Sequence, residues 1–176
     1  PSMNIFSPMD EEELINGMTH IVNSKNPWYI RYSNQPAKIQ HKPFEIGKAE
    51  EIGEGNDIVI FSHGFLCNEA LEVASQLESN GFSSKVVNMR TLRPFDEEVI
   101  IRTILDADVI CIIEDHFSTG ALFTIISEII ALRGLSATLL PFNLRTWHKS
   151  GLLKDVMQYE TMTAEYITQK IMASLQ

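Results

Sequence analysis

The chain has 176 residues, of which 44% are hydrophobic and 21% charged, and its formal net charge is −9. That composition fits an ordinary globular domain with a core of its own. The acidic balance and the absence of a basic stripe exclude nucleic acid as the main partner and a polybasic membrane patch, and no apolar run reaches the roughly 18 residues of a membrane span.

The chain begins Pro1-Ser2-Met3. A start on proline reads as a processed or cut chain. Residues 10–24 predict a helix. Ser7-Pro8 and Asp10 open it, Glu11 to Glu13 place negative charge on its first turn, and Leu14, Ile15, Met18, Ile21 and Val22 recur at helical spacing. Asn26-Pro27 ends it, and the aromatic run "WYIRY" at residues 28–32 predicts a strand. The polar text of residues 33–42, with Pro36 inside it and Pro43 after it, reads as a linker.

The pattern then changes. "DIVIFSHG" is a short apolar run ending at Gly64, and "NEALEVASQLESNG" is an amphipathic helix closed by Gly81. "SKVVNMR" is a strand, and "FDEEVIIRTILDA" a helix with Asp96 as N-cap. "DVICIIED" lacks alternation, so it predicts a strand buried on both faces. "GALFTIISEIIALRG" is a helix closed by Gly134, "SATLLPF" a strand, and residues 152–159 and 164–175 are helical. Apolar strands alternating with amphipathic helices give an α/β fold: three layers, doubly wound around a mostly parallel sheet, over residues 44–176. Residues 1–43 form an N-terminal helix-strand extension and linker. A lone helix-strand pair has no sheet of its own, so this part reads as the tail of another domain.

Four stretches carry candidate chemistry. Glu114-Asp115-His116 end a central strand, where open α/β sheets hold their ligands. Adjacent side chains on extended backbone point to opposite faces, so three in a row chelate a metal poorly. The favoured reading is structural or interfacial, with carboxylates taking backbone N–H groups. "SHGFLCNEAL" sets one glycine, Gly64, at a strand-helix turn, short of the three that a dinucleotide fingerprint needs; His63 stands beside it. "RTLRPFDEE" joins Arg90 and Arg93 to a capped helix start. In "YIRYSNQ", Arg31 follows a strand and could meet an acidic substrate group. The remaining histidines, His20, His41 and His148, are scattered. Cys67 and Cys111 belong to no CxxC pattern, which points to reduced thiols and a cytoplasmic setting.

Together these pieces resemble the transketolase family. "PWYIRYSNQ" looks like the strand that ends its pyrimidine-binding domain. The run from "GNDIVIFSHG" to "RPFDEEVI" is similar to the opening of its C-terminal domain, "VICIIEDHFSTGAL" resembles its strand end with a glycine pair, and "WHKSGLLKDVMQYETMTAEYITQKI" its last segment. The resemblance implies the C-terminal portion or subunit of a thiamine-diphosphate enzyme that moves a two-carbon ketol unit between sugars. Thiamine diphosphate and magnesium would be held by an N-terminal half or by the rest of the same chain, and this chain would bind no cofactor or metal and be inactive alone. It also implies a homodimer or heterotetramer. Arg31, Ser33 and Asn34 would face substrate. Asn34 stands where family members commonly carry a phosphate-binding arginine, which removes a charge from that contact. Alternatives are a non-catalytic binding or regulatory module of the same fold, and part of a 2-oxo acid dehydrogenase β chain or a deoxyxylulose phosphate synthase.

Overall fold

The computed structural model describes residues 2–175, so Pro1, read above as the mark of a cut chain, lies outside the described residues, as does Gln176. The elements in chain order are β1 (Asn4–Phe6), α1 (Glu11–Asn23), β2 (Trp28–Ile30), β3 (Glu50–Gly53), β4 (Ile58–Ser62), α2 (Cys67–Ser79), β5 (Ser84–Asn88), β6 (Thr91–Arg93), α3 (Glu97–Asp106), β7 (Val109–Phe117), α4 (Leu122–Arg133), β8 (Leu139–Leu144), α5 (Leu153–Tyr159) and α6 (Ala164–Ser174), with one 3-10 turn at Gly64–Leu66.

Five strands form the main sheet in the order β3-β5-β4-β7-β8. β4, β5, β7 and β8 run parallel, and β3 closes one edge antiparallel to β5. The central strands explain their own lack of alternation. Every residue of β4 is buried, and so are Val109 to Glu114 of β7. One face packs Ile58, Ile60 and Cys111 against α2 and α6; the other packs Val59, Phe61 and Ile112 against α3 and α4. The result is the expected three-layer, doubly wound α/β arrangement. Helix ends follow their sequence signals. Asp10 caps α1 by accepting from Glu13 N at 3.0 Å, and Asp96 caps α3 by accepting from Val99 N at 3.3 Å. Gly134 ends α4 at φ 62°, the left-handed conformation glycine adopts without a Cβ penalty.

The extension differs from its expected form. It is not a lone helix-strand pair. β1, which the sequence pattern does not announce, pairs parallel with β2 and antiparallel with β6, giving a second sheet in the order β2-β1-β6. Thr91–Arg93 thus leaves the C-terminal body to complete the sheet of the extension. Phe6, Ile21 and Phe44 form a small core there, with the Phe6 and Phe44 rings edge-on at 5.1 Å. The strand predicted over residues 28–32 ends at Ile30, with the Arg31 N–H still donating to Phe6 O of β1 at 2.8 Å.

Candidate functional site

The carboxyl ends of β4 and β7 and the end of β2 converge. Glu114, Asp115 and His116 sit in succession on β7, yet each meets different neighbours. Glu114 is fully buried, and its carboxylate accepts from Leu122 N at 2.8 Å and Phe123 N at 3.2 Å. It thereby satisfies two N–H groups at the start of α4, where the helix dipole favours negative charge. Burial pushes its carboxyl above the usual range, and those two donors oppose the rise. Asp115 faces the other way, as strand alternation requires. It binds Arg31 in a fork, Nη1 to Oδ1 at 2.7 Å and Nη2 to Oδ2 at 2.8 Å, across 84 positions of sequence. His116 lies half-buried with its ring edge-on to Phe117 at 6.0 Å.

Of the other predicted site residues, Ser33 is half-buried and Asn34 exposed. The Tyr32 hydroxyl donates to Asn34 Oδ1 at 3.0 Å. Arg31 therefore points back to β7, while Asn34 stands at the surface. His63, a residue of the strand-helix turn, is buried with a side chain only 1% exposed. Its Nδ1 lies 3.0 Å from Ser7 Oγ, and its Nε2 has no hydrogen-bond partner. Burial holds its pKa down to about 4, so the ring is neutral at pH 7.

A second cluster escapes the sequence reading altogether. Asp10, Glu13, His41, Glu50 and Arg90 come from the extension, the linker, β3 and the segment after β5, and all five side chains are at most 2% exposed. His41 Nε2 is 2.9 Å from Asp10 Oδ2, and Nδ1 is 2.7 Å from Glu50 Oε2. With a carboxylate on each nitrogen, the imidazole must carry both protons. Burial alone would lower its pKa, but Glu50 and Asp10 outweigh it and hold it at about 9. Burial would likewise raise Glu50, but His41, the Lys42 N–H and Arg90 bring it down to about 2. Arg90 Nε lies 2.8 Å from Glu13 Oε1, close enough for an ion pair but off hydrogen-bond alignment, and Nη2 lies 2.9 Å from Glu50 Oε2. Nη1 and Nη2 also donate to the carbonyls of Pro43 and Lys42.

Glu13, His41 and Glu50 are the one group among the described residues whose ligand atoms converge as metal donors do, within 4.8 Å. The arrangement does not suit a cation. His41 has no free lone pair, and the Arg90 guanidinium already neutralises the carboxylates. Nor does this donor set suit magnesium, which takes oxygen ligands and keeps waters. Nothing in local sequence marks the cluster, because its members lie up to about 80 positions apart and each pairs only through the fold. The one available signal is the incidence of Asp10, Glu13 and Arg90 in segments otherwise destined for burial.

Comparison with known proteins places this geometry. The family model for "Transketolase, C-terminal domain" matches residues 47–167. The transketolase C-terminal section of Methanocaldococcus jannaschii is 30% identical over 181 aligned positions, covering 99% of this chain and 56% of that protein. A 1-deoxy-D-xylulose-5-phosphate synthase of Dictyoglomus thermophilum is 34% identical over 149 positions, 82% of this chain and 24% of that protein. Among solved structures, a split-gene transketolase described as an inactive β4 tetramer superposes with a TM-score of 0.85 at 23% identity, over 99% of this chain and 58% of that one. Transketolase from Campylobacter jejuni gives 0.76 at 18% identity, over 98% of this chain and 26% of that one. The chain thus spans little more than half of the first of these relatives and about a quarter of the second. With the doubly wound sheet, the strand-end turn of Glu114 and the family match over residues 47–167, the chain belongs to the transketolase family, as a C-terminal section of it.

Proposed function

We propose that this chain is the C-terminal part of a thiamine-diphosphate-dependent transferase that moves a two-carbon ketol unit from a ketose to an aldose, and that it is silent without the remainder of the enzyme. The observation that carries the reading is the alignment of 99% of the chain, extension included, with a transketolase C-terminal section. Residues 1–43 are then the tail of the pyrimidine-binding domain with its linker, and residues 44–176 the C-terminal domain. Thiamine diphosphate and magnesium bind in the N-terminal half or the rest of the same chain. The assembly is a homodimer or heterotetramer, in the cytoplasm, where the free Cys67 and Cys111 stay reduced.

In this reading Arg31, Ser33 and Asn34 line the substrate channel, with Arg31 held by Asp115 and Asn34 replacing a charged phosphate contact by a neutral one. The exposure of Asn34 supports that role. Glu114, Asp115 and His116 hold the strand end and the junction of the two parts.

The test is to combine the chain with the matching remainder, thiamine diphosphate and magnesium, and to follow ketol transfer between sugars. Transfer by the mixture and by neither part alone is the expected result; no transfer across a panel of donors and acceptors overturns the proposal. A second reading, a deoxyxylulose-phosphate-synthase-like part, is favoured by the 34% identity to such an enzyme. Supplying pyruvate as donor separates the two.

A further inference from the structure

We propose that the cavity between the extension and the carboxyl ends of β4 and β7 binds a small molecule that carries an oxyanion on an apolar body. The site shares Arg31 with the proposed substrate-facing residues but does not include Asn34, and it does not rest on the transfer reaction.

Position comes first. From β4 the chain moves to β5 on one side, while β7 lies on the other, so the crevice at their carboxyl ends is the topological switch point of the sheet. Open α/β sheets bind ligands at that point. The cavity has a volume of about 410 Å³, within the range of small-molecule sites.

Its walls are of two kinds. Arg31, His63, His116 and Arg93 supply basic groups, and Leu92, Phe95 and Ile125 an apolar wall. Ala121, Ile125 and Glu128 contribute from one face of α4. At 1.5 Å rise per residue, Glu128 stands about 10 Å along the helix from Ala121. His63 stands at the Ala121 end, because Glu114, 4.0 Å from it, caps that end of the helix, and Arg31 is tied to the next residue of β7, Asp115. The cavity therefore joins basic groups to an apolar wall, with Glu128 as the one carboxylate in its lining.

His63 points to a ligand rather than to simple packing. Its side chain is 1% exposed and its Nε2 has no hydrogen-bond partner. An unpaired buried polar atom costs about 1–3 kcal/mol, and a ligand oxygen would remove that cost. In the tautomer whose Nδ1 accepts from Ser7 Oγ, the neutral ring presents Nε2–H as a donor to an anion. Arg31 supplies further donors: its hydrogen bonds to Asp115 are three, from Nη1 and Nη2, and a guanidinium has five N–H groups. The Glu114 carboxylate is no competitor for an anion, since it is turned to the α4 N–H groups.

The test uses the 176-residue chain, phenyl phosphate, benzoate, phenol and inorganic phosphate, followed by calorimetry and by the imidazole resonances of its histidines. Phenyl phosphate or benzoate is expected to bind with Kd below about 1 mM, phenol and inorganic phosphate at least about tenfold more weakly. The two anionic probes distinguish a phosphate from a carboxylate ligand. The His63 and His116 resonances should shift while His20, on α1, stays still. Ile125→Trp, which fills the apolar part, should abolish binding. Absence of binding by both anionic probes overturns the proposal, and so does binding that leaves His63 and His116 unmoved or that survives in folded Ile125→Trp. Should that variant not fold, the pattern of histidine shifts in the unaltered chain decides alone.

Discussion

Replacing His41 by glutamine should destabilise the chain in a way that depends on pH. Both ring nitrogens face carboxylates, and the folded pKa stands at about 9 against an ordinary 6.5. At roughly 1.4 kcal/mol per pH unit that difference corresponds to about 3 kcal/mol; relaxation of the partly open linker around His41 discounts it to about 2 kcal/mol. A raised pKa favours folding fully below 6.5, and the contribution is lost as pH rises through about 9. Glu50 is the other half of the same pair, so its lowered pKa is not added to that figure. It governs a separate acid window, its contribution being present above 4.5 and lost as pH falls through about 2. Glu13, raised by burial, acts in the opposite sense on the acid side, which leaves the alkaline limb as the cleaner measurement. Thermal unfolding of the unaltered chain and of His41→Gln between pH 6 and pH 10 is the assay. About 2 kcal/mol corresponds to a Tm difference of roughly 4–8 °C for a chain of this size. That difference should be full at pH 6 and shrink toward zero above pH 9. A gap that stays constant across the range would refute the ionised-imidazole account.

Four further outcomes follow from the packing and the ion pairs. Gly55→Ala should unfold or severely destabilise the chain, by about 3 kcal/mol or more, because the new Cβ would lie 2.0 Å from Ser84 N, a backbone atom; urea unfolding checks it. Gly17→Ala should cost about 1–3 kcal/mol, since its Cβ would lie 2.5 Å from Phe6 Cζ and the ring must shift within a small core; the urea midpoint should fall with an unchanged slope. Glu114→Ala should cost about 1–2 kcal/mol through loss of the α4 cap, read by circular dichroism melting, whereas Asp115→Asn should cost about 1 kcal/mol or less because the Arg31 pair is part-exposed. In the reconstituted enzyme the second substitution should act mainly on KM, by freeing Arg31.

The body of the fold was legible because its signals are local. The unbroken apolar runs at residues 58–61 and 109–113 dictate burial on both faces, and Asp96 and Gly134 mark helix ends where the backbone needs them. β1 and β6 were not, because each is three residues long and takes its strand state from its partner. β3 was missed for a related reason. Glu50 and Glu51 carry no strand signal, and the burial of Glu50 against His41 and Arg90 is held only in tertiary structure. Residues 33–42 carry no helix or strand, as a linker should, but the burial of the His41 side chain within them has no local signal. His41 looks like one of several scattered histidines until the extension folds back over the domain.

Glu114-Asp115-His116 shows how far one motif can be split by strand geometry. Adjacent residues on β7 cannot converge, and here each side chain meets a different part of the molecule. Glu114 turns inward to the start of α4, Asp115 crosses to Arg31 of the extension, and His116 faces the cavity. Binding at the cavity would therefore act on the strand end that also fixes Arg31. A ligand oxygen bonded to Arg31 competes for the guanidinium with Asp115 or shares it, and either case changes how firmly the residues after β2 are held. Under the proposed transfer activity, the consequence is measurable in the mixture of this chain with the matching remainder. Phenyl phosphate at saturating concentration should change KM for the sugar donor more than kcat, and Asp115→Asn should weaken that effect. An equal effect in Asp115→Asn would show that the cavity and the substrate-facing loop are not linked through this ion pair.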